Sequence, residues 1–69
     1  ELDLLLFHKG KRLGFEFKFG EKIDVTKSMH IAQKDLGLDH LYIVHPGEHC
    51  FPVDDQITAT PLPALLKTL

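Results

Sequence analysis

Two apolar-rich runs near the start of the chain predict a β-hairpin. They are Leu2–His8 and Arg12–Phe19, and the short gap between them is centred on Gly10, which is typical of a tight turn between antiparallel strands. Side chains alternate between the two faces of a strand. One face of the second run therefore consists of Leu13, Phe15, Phe17 and Phe19. We expect this face to be buried.

The length of the turn decides how the two strands pair. A two-residue loop at Lys9 and Gly10 places Asp3 opposite Glu16 and sets Leu2, Leu4 and Leu6 beside Phe17, Phe15 and Leu13. A three-residue loop would instead set those leucines beside Glu16 and Gly14. Because burial of apolar side chains selects the register, the first pairing is favoured.

The next elements alternate between helix and strand. Apolar residues at helical spacing predict a helix from Thr26 to Leu36, with Thr26 as its cap and Gly37 closing it. An apolar strand follows over His40–His45. A strand reached through a helix lies parallel to the strand before the helix, by a right-handed crossover.

The last third of the chain predicts a loop at 46–50, a short edge strand at Gln56–Thr60 and a C-terminal helix. That helix carries Leu62, Leu65, Leu66 and Leu69 at helical spacing, with Pro63 in its first turn. The fold class is thus α/β, with a small mixed sheet and a short C-terminal helix. The expected core comprises Leu4, Leu6, Leu13, Phe15, Phe17, Met29, Leu36, Leu41 and Ile43.

Length and composition limit the class of protein. The 69 residues allow one domain, and 43% hydrophobic with 26% charged residues is typical of soluble globular chains. No apolar run is long enough for a membrane span. A single cysteine, Cys50, predicts a cytoplasmic protein. The chain opens inside a predicted strand without an initiator Met, so we expect a fragment of a longer protein.

The net charge of −2 gives no overall attraction to nucleic acid. Residues 1–35 carry seven Lys or Arg and six Asp or Glu, whereas residues 36–69 carry one Lys and four acidic residues, so +1 and −3 sum to −2. An anionic partner should therefore meet the first half of the chain.

The candidate site consists of Asp3, Glu16 and Lys18. In the favoured register the two carboxylates face each other and the ammonium lies one pleat along. A hard cation such as Mg²⁺ or Mn²⁺ would relieve the repulsion between Asp3 and Glu16 and activate water, and Lys18 would stabilise negative charge at phosphorus. The alternative is an exposed sheet face with alternating, solvated charges.

These residues also carry a family resemblance. Glu1-Leu2-Asp3 with the apolar run to Phe7, followed by Gly14-Phe15-Glu16-Phe17-Lys18, resembles the D…ExK signature of the PD-(D/E)XK, or restriction-endonuclease-like, superfamily. More narrowly, the order of elements is similar to the C-terminal domain of unknown function of prokaryotic AAA-type ATPases. The resemblance implies metal-binding roles for Asp3 and Glu16 and a catalytic role for Lys18.

The resemblance leads to two hypotheses about function. The superfamily's preceding helix and the phosphate-binding loop of an ATPase are both absent from this sequence, and many superfamily members have lost catalysis. We therefore expect a non-catalytic interaction or regulatory module that partners the ATPase module of the same chain. The alternative is a metal-dependent phosphodiesterase acting on nucleic acid.

Two further groups of residues contain side chains that could bind a ligand. His40, His45, His49 and Cys50 contain zinc-ligand types, but their spacing lacks the tight pairs of a structural zinc site. We expect His45 to end a strand, His49 to be solvated and Cys50 to be unreactive. Lys9, Lys11 and Arg12 form a basic hairpin tip, which we interpret as a turn kept soluble by charge rather than a phosphate-binding site.

Overall fold

The computed structural model describes residues 2–19 and 27–69. Five strands and two helices follow one another along these ranges. They are β1 (Leu4–His8), β2 (Lys11–Phe17), α1 (Lys27–Asp35), β3 (His40–His45), β4 (Phe51–Asp54), β5 (Ile57–Pro61) and α2 (Leu62–Thr68). The predicted Thr26 cap lies outside the described residues.

The strands form one mixed sheet in the order β1-β2-β3-β5-β4. Its centre is parallel, because β2 pairs with β3 and β3 with β5 in the same direction, whereas β1 and β4 pair antiparallel at the two edges. The predicted crossover from the hairpin through a helix into a parallel strand is therefore confirmed.

The hairpin has the predicted register over Leu4–His8. Leu4 pairs with Phe15, Leu6 with Leu13, and His8 with Lys11. Leu2, predicted to lie beside Phe17, instead packs near Gly14 on the opposite face of the sheet, because the regular pairing begins only at Leu4. Both loop residues, Lys9 and Gly10, have positive φ values of 51° and 78°. Two such residues in a two-residue loop form the turn whose twist matches that of the flanking strands.

The structure corrects the assignment of the last strands. The predicted edge strand at Gln56–Thr60 is β5, which lies inside the sheet between β3 and β4. The edge is β4, a strand that the sequence pattern does not predict. Pro52 interrupts its apolar pattern, and a proline is tolerated in a strand mainly at an edge, where its missing N–H is not needed.

Each face of the sheet carries its own apolar cluster beneath a helix. One cluster joins α1 to the sheet through Met29, Leu38, Leu41, Ile43, Ile57 and Ala59. The other joins α2 to the sheet through Leu13, Phe15, Val44 and Leu65. We refer to these as the α1 face and the α2 face. Five of the nine predicted core residues are buried, namely Leu13, Phe15, Met29, Leu41 and Ile43.

The other four predicted core residues are exposed: Leu4 at 45%, Leu6 at 37%, Phe17 at 36% and Leu36 at 39%. The first three lie on the β1 side of the α2 face, whereas α2 packs over β3 and β5. Leu36 follows the last residue of α1, where Gly37 turns the chain with a φ of 61°. Leu38 then folds back, donating its N–H to the Gln33 carbonyl at 3.0 Å, and takes the buried position.

Within the described ranges, neither helix is long and apolar enough to cross a membrane.

Candidate functional site

The three predicted site residues lie at one end of the sheet. Glu16 is close to the end of β2, Lys18 follows directly after it, and Asp3 precedes the first residue of β1. The Lys18 N–H donates to the Val44 carbonyl at 2.8 Å, which continues the parallel ladder past the end of β2. Asp3 is exposed, whereas Glu16 and Lys18 are half-buried.

One main-chain and one side-chain hydrogen bond hold Asp3 against the end of β2. The Asp3 N–H donates to the Phe15 carbonyl at 3.0 Å. The Asp3 carboxylate accepts the Phe17 N–H at 2.8 Å through Oδ2. Phe15 and Phe17 are the two neighbours of Glu16 in sequence, so Asp3 lies beside this stretch of β2, although the paired register begins only at Leu4. The hydrogen bond from Phe17 gives the Asp3 carboxylate a structural role.

The need for this hydrogen bond follows from strand length. Phe17 is the last residue of β2, and its N–H points towards β1, which begins only at Leu4. This hydrogen bond is exposed, so without Asp3 the Phe17 N–H would bond to water instead. A carboxylate that accepts such a donor replaces the carbonyl of the missing strand, as in a charge-assisted cap. Asp3 thus completes the ladder that β1 leaves unfinished.

A cation at this end of the sheet would have Asp3 and Glu16 as its predicted ligands. Carboxylate oxygens are ligands that Mg²⁺ and Mn²⁺ accept, and Mg²⁺ commonly binds through one or two carboxylates with several waters. In residues 2–19 and 27–69, however, no group of three or more His, Cys, Asp or Glu could hold a metal ion.

The histidines of the second candidate group are separated by the strand that carries them. His40 begins β3 and His45 ends it, which places their Cα atoms about 16 Å apart. Nε2 of His40 lies 2.7 Å from the Thr58 hydroxyl, and its ring lies 4.7 Å from that of Tyr42. Burial, and secondarily the nearby positive charge of Lys11, lower the pKa of His40 below 6.5. His40 and His45 therefore do not form one zinc site.

The sequence does not predict that the His45 imidazole is buried. It is 7% exposed, and its Nδ1 accepts the Gly47 N–H at 3.0 Å. Its Nε2 is buried with no hydrogen-bond partner in the described part of the chain. The sequence prediction placed His45 at the end of its strand, which is confirmed, but only the packing of the following loop shows that the imidazole is buried.

A surface cavity of about 570 Å³ lies at the same end of the sheet. It opens beyond the carboxyl ends of β3 and β5, where parallel sheets commonly bind ligands. Its walls are mostly apolar, with Glu48, Lys67 and His45 as the ionisable residues. The lining residues are Phe19, His45, Pro46, Gly47, Glu48, Pro61, Leu62, Pro63, Ala64 and Lys67.

At the opposite end of the hairpin, Arg12 makes contacts that stabilise the fold. Its Nη1 donates to the Leu36 carbonyl at 2.7 Å, just past the end of α1. Its guanidinium lies 5.2 Å from the centre of the Phe7 ring, a cation–π distance. Its backbone N–H donates to the Asp39 carboxylate at 2.7 Å. These contacts agree with the interpretation of the hairpin tip as a structural turn.

The fold and the site together define a small α/β domain with a five-stranded mixed sheet and a helix on each face. The Asp3 carboxylate of this domain accepts the Phe17 N–H, which has no partner in β1. The chain belongs to the family described as Domain of unknown function (DUF4143), whose family profile matches residues 1–65.

The chain is also similar to two curated relatives. Uncharacterized proteins from Mycobacterium bovis and Mycobacterium tuberculosis are each 43% identical to it over 68 residues, which is 99% of this chain. The chain spans about 15% of the length of either relative. No solved structure matches the chain.

Proposed function

We propose that this domain is a non-catalytic interaction module within a longer protein. The observation that carries the proposal is the 2.8 Å hydrogen bond between the Asp3 carboxylate and the Phe17 N–H. Because this bond completes a strand ladder, the presence of Asp3 at this position is explained by folding alone. The D…ExK pattern then needs no catalytic role.

Exposed apolar surface supports docking as the role of the domain. Leu4, Leu6 and Phe17 are each more than a third exposed on the α2 face, and Leu62 and Leu66 of α2 are 43% and 65% exposed. Large exposed apolar patches commonly mark interaction surfaces. The matched relatives are several times longer than this chain, so the rest of such a polypeptide is the natural partner.

The sequence resemblance suggests what that polypeptide is. The order of hairpin, helix and parallel strand is compatible with the restriction-endonuclease-like arrangement at the C-terminus of prokaryotic AAA-type ATPases. In this proposal residues 1–69 form a single C-terminal domain, the partner is the ATPase module of the same chain, and the protein is cytoplasmic.

The test is binding in trans. The 69-residue chain would be titrated into the longer polypeptide lacking these residues, and binding would be measured by calorimetry. We expect saturable binding that persists in the Asp3→Asn variant and in EDTA. No binding up to high micromolar concentrations would contradict the proposal.

A second candidate function, metal-dependent phosphodiesterase activity, is favoured by one observation. Asp3 is hydrogen-bonded to both neighbours of Glu16, and Lys18 lies at the same end of the sheet. Mg²⁺ or Mn²⁺ held by Asp3 and Glu16 would supply an activated water, and Lys18 would stabilise charge on a nucleic-acid phosphate.

Metal titration separates the two functions. For the phosphodiesterase, Mn²⁺ should selectively broaden the amide resonances of residues 2–4 and 15–18, with an affinity on the order of millimolar. Cleavage of plasmid DNA should then require the metal and be lost in Lys18→Ala. For the interaction module, we expect unchanged amide signals and no cleavage.

A further inference from the structure

Strand β1 lies at an edge of the sheet but has the sequence of an interior strand. Its residues Leu4 to Phe7 are all large and apolar, and alternation directs them to both faces. Leu5 and Phe7 are 41% and 68% exposed on one face, and Leu4 and Leu6 are 45% and 37% exposed on the other. A continuous apolar run is typical of a strand that is covered on both faces inside a sheet.

The opposite edge is protected in the usual ways. Strand β4 contains Pro52, shifts its register between Pro52 and Asp54, and ends on an acidic residue. Proline, bulges and charge are the features by which natural edge strands avoid pairing with another strand. In β1 none of them interrupts Leu4 to Phe7, so this edge is suited to accept a further strand.

The hairpin register shows which main-chain groups of β1 are open. In a two-residue hairpin the residues flanking the loop exchange hydrogen bonds, and bonded pairs then alternate. The bonded pairs are therefore His8 with Lys11, Leu6 with Leu13, and Leu4 with Phe15. The N–H and C=O groups of the intervening residues, Leu5 and Phe7, point away from β2.

Hydrogen bonds on the other side of β2 agree with this assignment. The Asp39 N–H donates to the Arg12 carbonyl, and the Lys18 N–H donates to the Val44 carbonyl, each at 2.8 Å. Even-numbered residues of the second hairpin strand thus bond towards β3 and odd-numbered residues towards β1. Phe17 follows the same rule, because its N–H meets Asp3.

We propose that β1 accepts a sixth strand, supplied by another segment of the longer polypeptide, through the main-chain groups of Leu5 and Phe7. This inference rests on the proposed function and specifies its partner. The incoming segment is extended and apolar on both faces, because it must cover Leu5 and Phe7 on the α1 face and Leu4 and Leu6 on the α2 face.

A second copy of the chain is the less suitable occupant. Two antiparallel β1 strands related by a twofold axis perpendicular to the sheet would pair Leu5 with Phe7 twice, giving four hydrogen bonds over one short strand. Stable dimers usually bury about 1,200–2,000 Å², more than a five-residue edge provides by itself. A segment of the same polypeptide instead binds at an effective concentration near the millimolar range.

The first test is amide hydrogen exchange. In the longer polypeptide the Leu5 and Phe7 amides should exchange at least ten times more slowly than in the 69-residue chain, where they point away from β2 and have no strand partner among the described residues. The Leu6 amide, bonded to β2 in both, serves as the internal reference. Equal exchange rates for Leu5 and Phe7 in the two proteins would overturn the proposal.

The second test is a matched pair of lysine substitutions, Leu5→Lys and Val53→Lys. Both residues lie in edge strands of the described sheet, and they are exposed to similar extents, 41% and 37%. In the 69-residue chain the two variants should lower the melting temperature equally. In the longer polypeptide Leu5→Lys should lower it much further than Val53→Lys, because only Leu5 would be covered by a sixth strand.

The outcomes separate this inference from the proposed function. If the chain binds the rest of the polypeptide in trans but Leu5→Lys leaves binding unchanged, docking stands and the sixth strand is wrong. Concentration-dependent dimers of the 69-residue chain that Leu5→Lys abolishes would assign the edge to a second copy and overturn the proposed occupant. Absence of trans binding would contradict the function itself.

Discussion

At the scale of single residues, Asp3 shows how one side chain fits two interpretations. Its place in the D…ExK pattern indicates metal chemistry, whereas its hydrogen bond to Phe17 indicates strand capping. The predicted pairing of the hairpin strands is confirmed from Leu4 to His8, whereas the pairing of Asp3 with Glu16 stays a prediction. The direction of the carboxylate was not predictable, because it depends on β1 beginning one residue after Asp3.

Substitution of Asp3 distinguishes hydrogen bonding from charge. Asp3→Ala removes the acceptor of the Phe17 N–H and should destabilise the domain by about 1 kcal/mol. Asp3→Asn keeps an acceptor oxygen while removing a charge next to Glu16, so stability should hold or rise slightly. Urea denaturation of both variants measures the difference. Equal destabilisation by Asn and Ala would show that the negative charge, rather than the acceptor, is required.

His40 should make the stability of the domain depend on pH. Burial and Lys11 lower its pKa in the folded state below the ordinary value of 6.5. Between the two pKa values the unfolded chain binds a proton that the folded chain does not. The free energy of unfolding should therefore be at its full value above about pH 6.5, fall as the pH drops through this window, and level off below the folded pKa.

The control for this pH effect is His40→Gln, which keeps a hydrogen-bonding group near the Thr58 hydroxyl and does not titrate. Denaturant midpoints measured from pH 7.5 to pH 5 should fall less in this variant than in the wild type. Parallel pH profiles for the two proteins would show that His40 is not the titrating group.

At the scale of elements, local sequence determined most of what was predicted correctly. The alternation in β2, the helical spacing in α1 and α2, and Gly10 in the turn each act over a few residues. Strand β4 was missed because Pro52 and the shifted register hide its pattern. The short β-branched run of β5 predicted an edge strand, yet Ile57, Ala59 and Thr60 are buried because a strand pairs on each side of β5.

The turn offers a stabilising substitution. Lys9 has a φ of 51°, a left-handed conformation that asparagine adopts more readily than lysine. Lys9→Asn creates the Asn-Gly pair preferred in this type of turn and should stabilise the domain by a few tenths of a kcal/mol up to about 1 kcal/mol. Thermal unfolding checks the sign.

The companion change Gly10→Ala should have the opposite effect. Gly10 has a φ of 78°, which a Cβ atom disfavours, although open space surrounds the position. The expected loss is on the order of 1 kcal/mol from backbone strain alone. Stabilisation by Gly10→Ala, or destabilisation by Lys9→Asn, would contradict the assigned turn geometry.

At the scale of the whole molecule, each helix covers part of one face of the sheet. Helix α2 is anchored by one buried residue, Leu65, which packs with Leu13, Phe15 and Val44. At its end, His8 Nε2 lies 3.0 Å from the Leu69 carbonyl. The α2 layer therefore depends on a single large buried side chain, and on the other face Met29 of α1 and Leu38, just past its end, are the buried residues that cover the sheet.

Leucine truncations in α2 test this dependence. Leu65→Ala should cost about 2–4 kcal/mol, because it removes a buried side chain from the α2 face. Leu66→Ala, at a position 65% exposed, should change stability by less than about 0.5 kcal/mol. Guanidinium denaturation of the pair checks the contrast. Similar losses in both variants would show that α2 packs through a different face.

The sequence alone determined the elements that depend on neighbours along the chain. Strand alternation, helical spacing and the glycine turn predicted the hairpin register, the crossover helix and the parallel β3. Five of the predicted core residues are buried for the same reason, since the periodicity of a segment selects its buried face.

Only the tertiary structure decided which strands lie at the edges and how far each helix reaches. Leu4, Leu6 and Phe17 have core-like patterns, yet they are exposed because β1 is an edge and α2 lies over β3 and β5. The Asp3 carboxylate likewise meets Phe17 only because β1 begins at Leu4, so that no residue of β1 pairs with Phe17. Burial and side-chain partners at these positions depend on contacts between segments that are distant in sequence, which local periodicity does not encode.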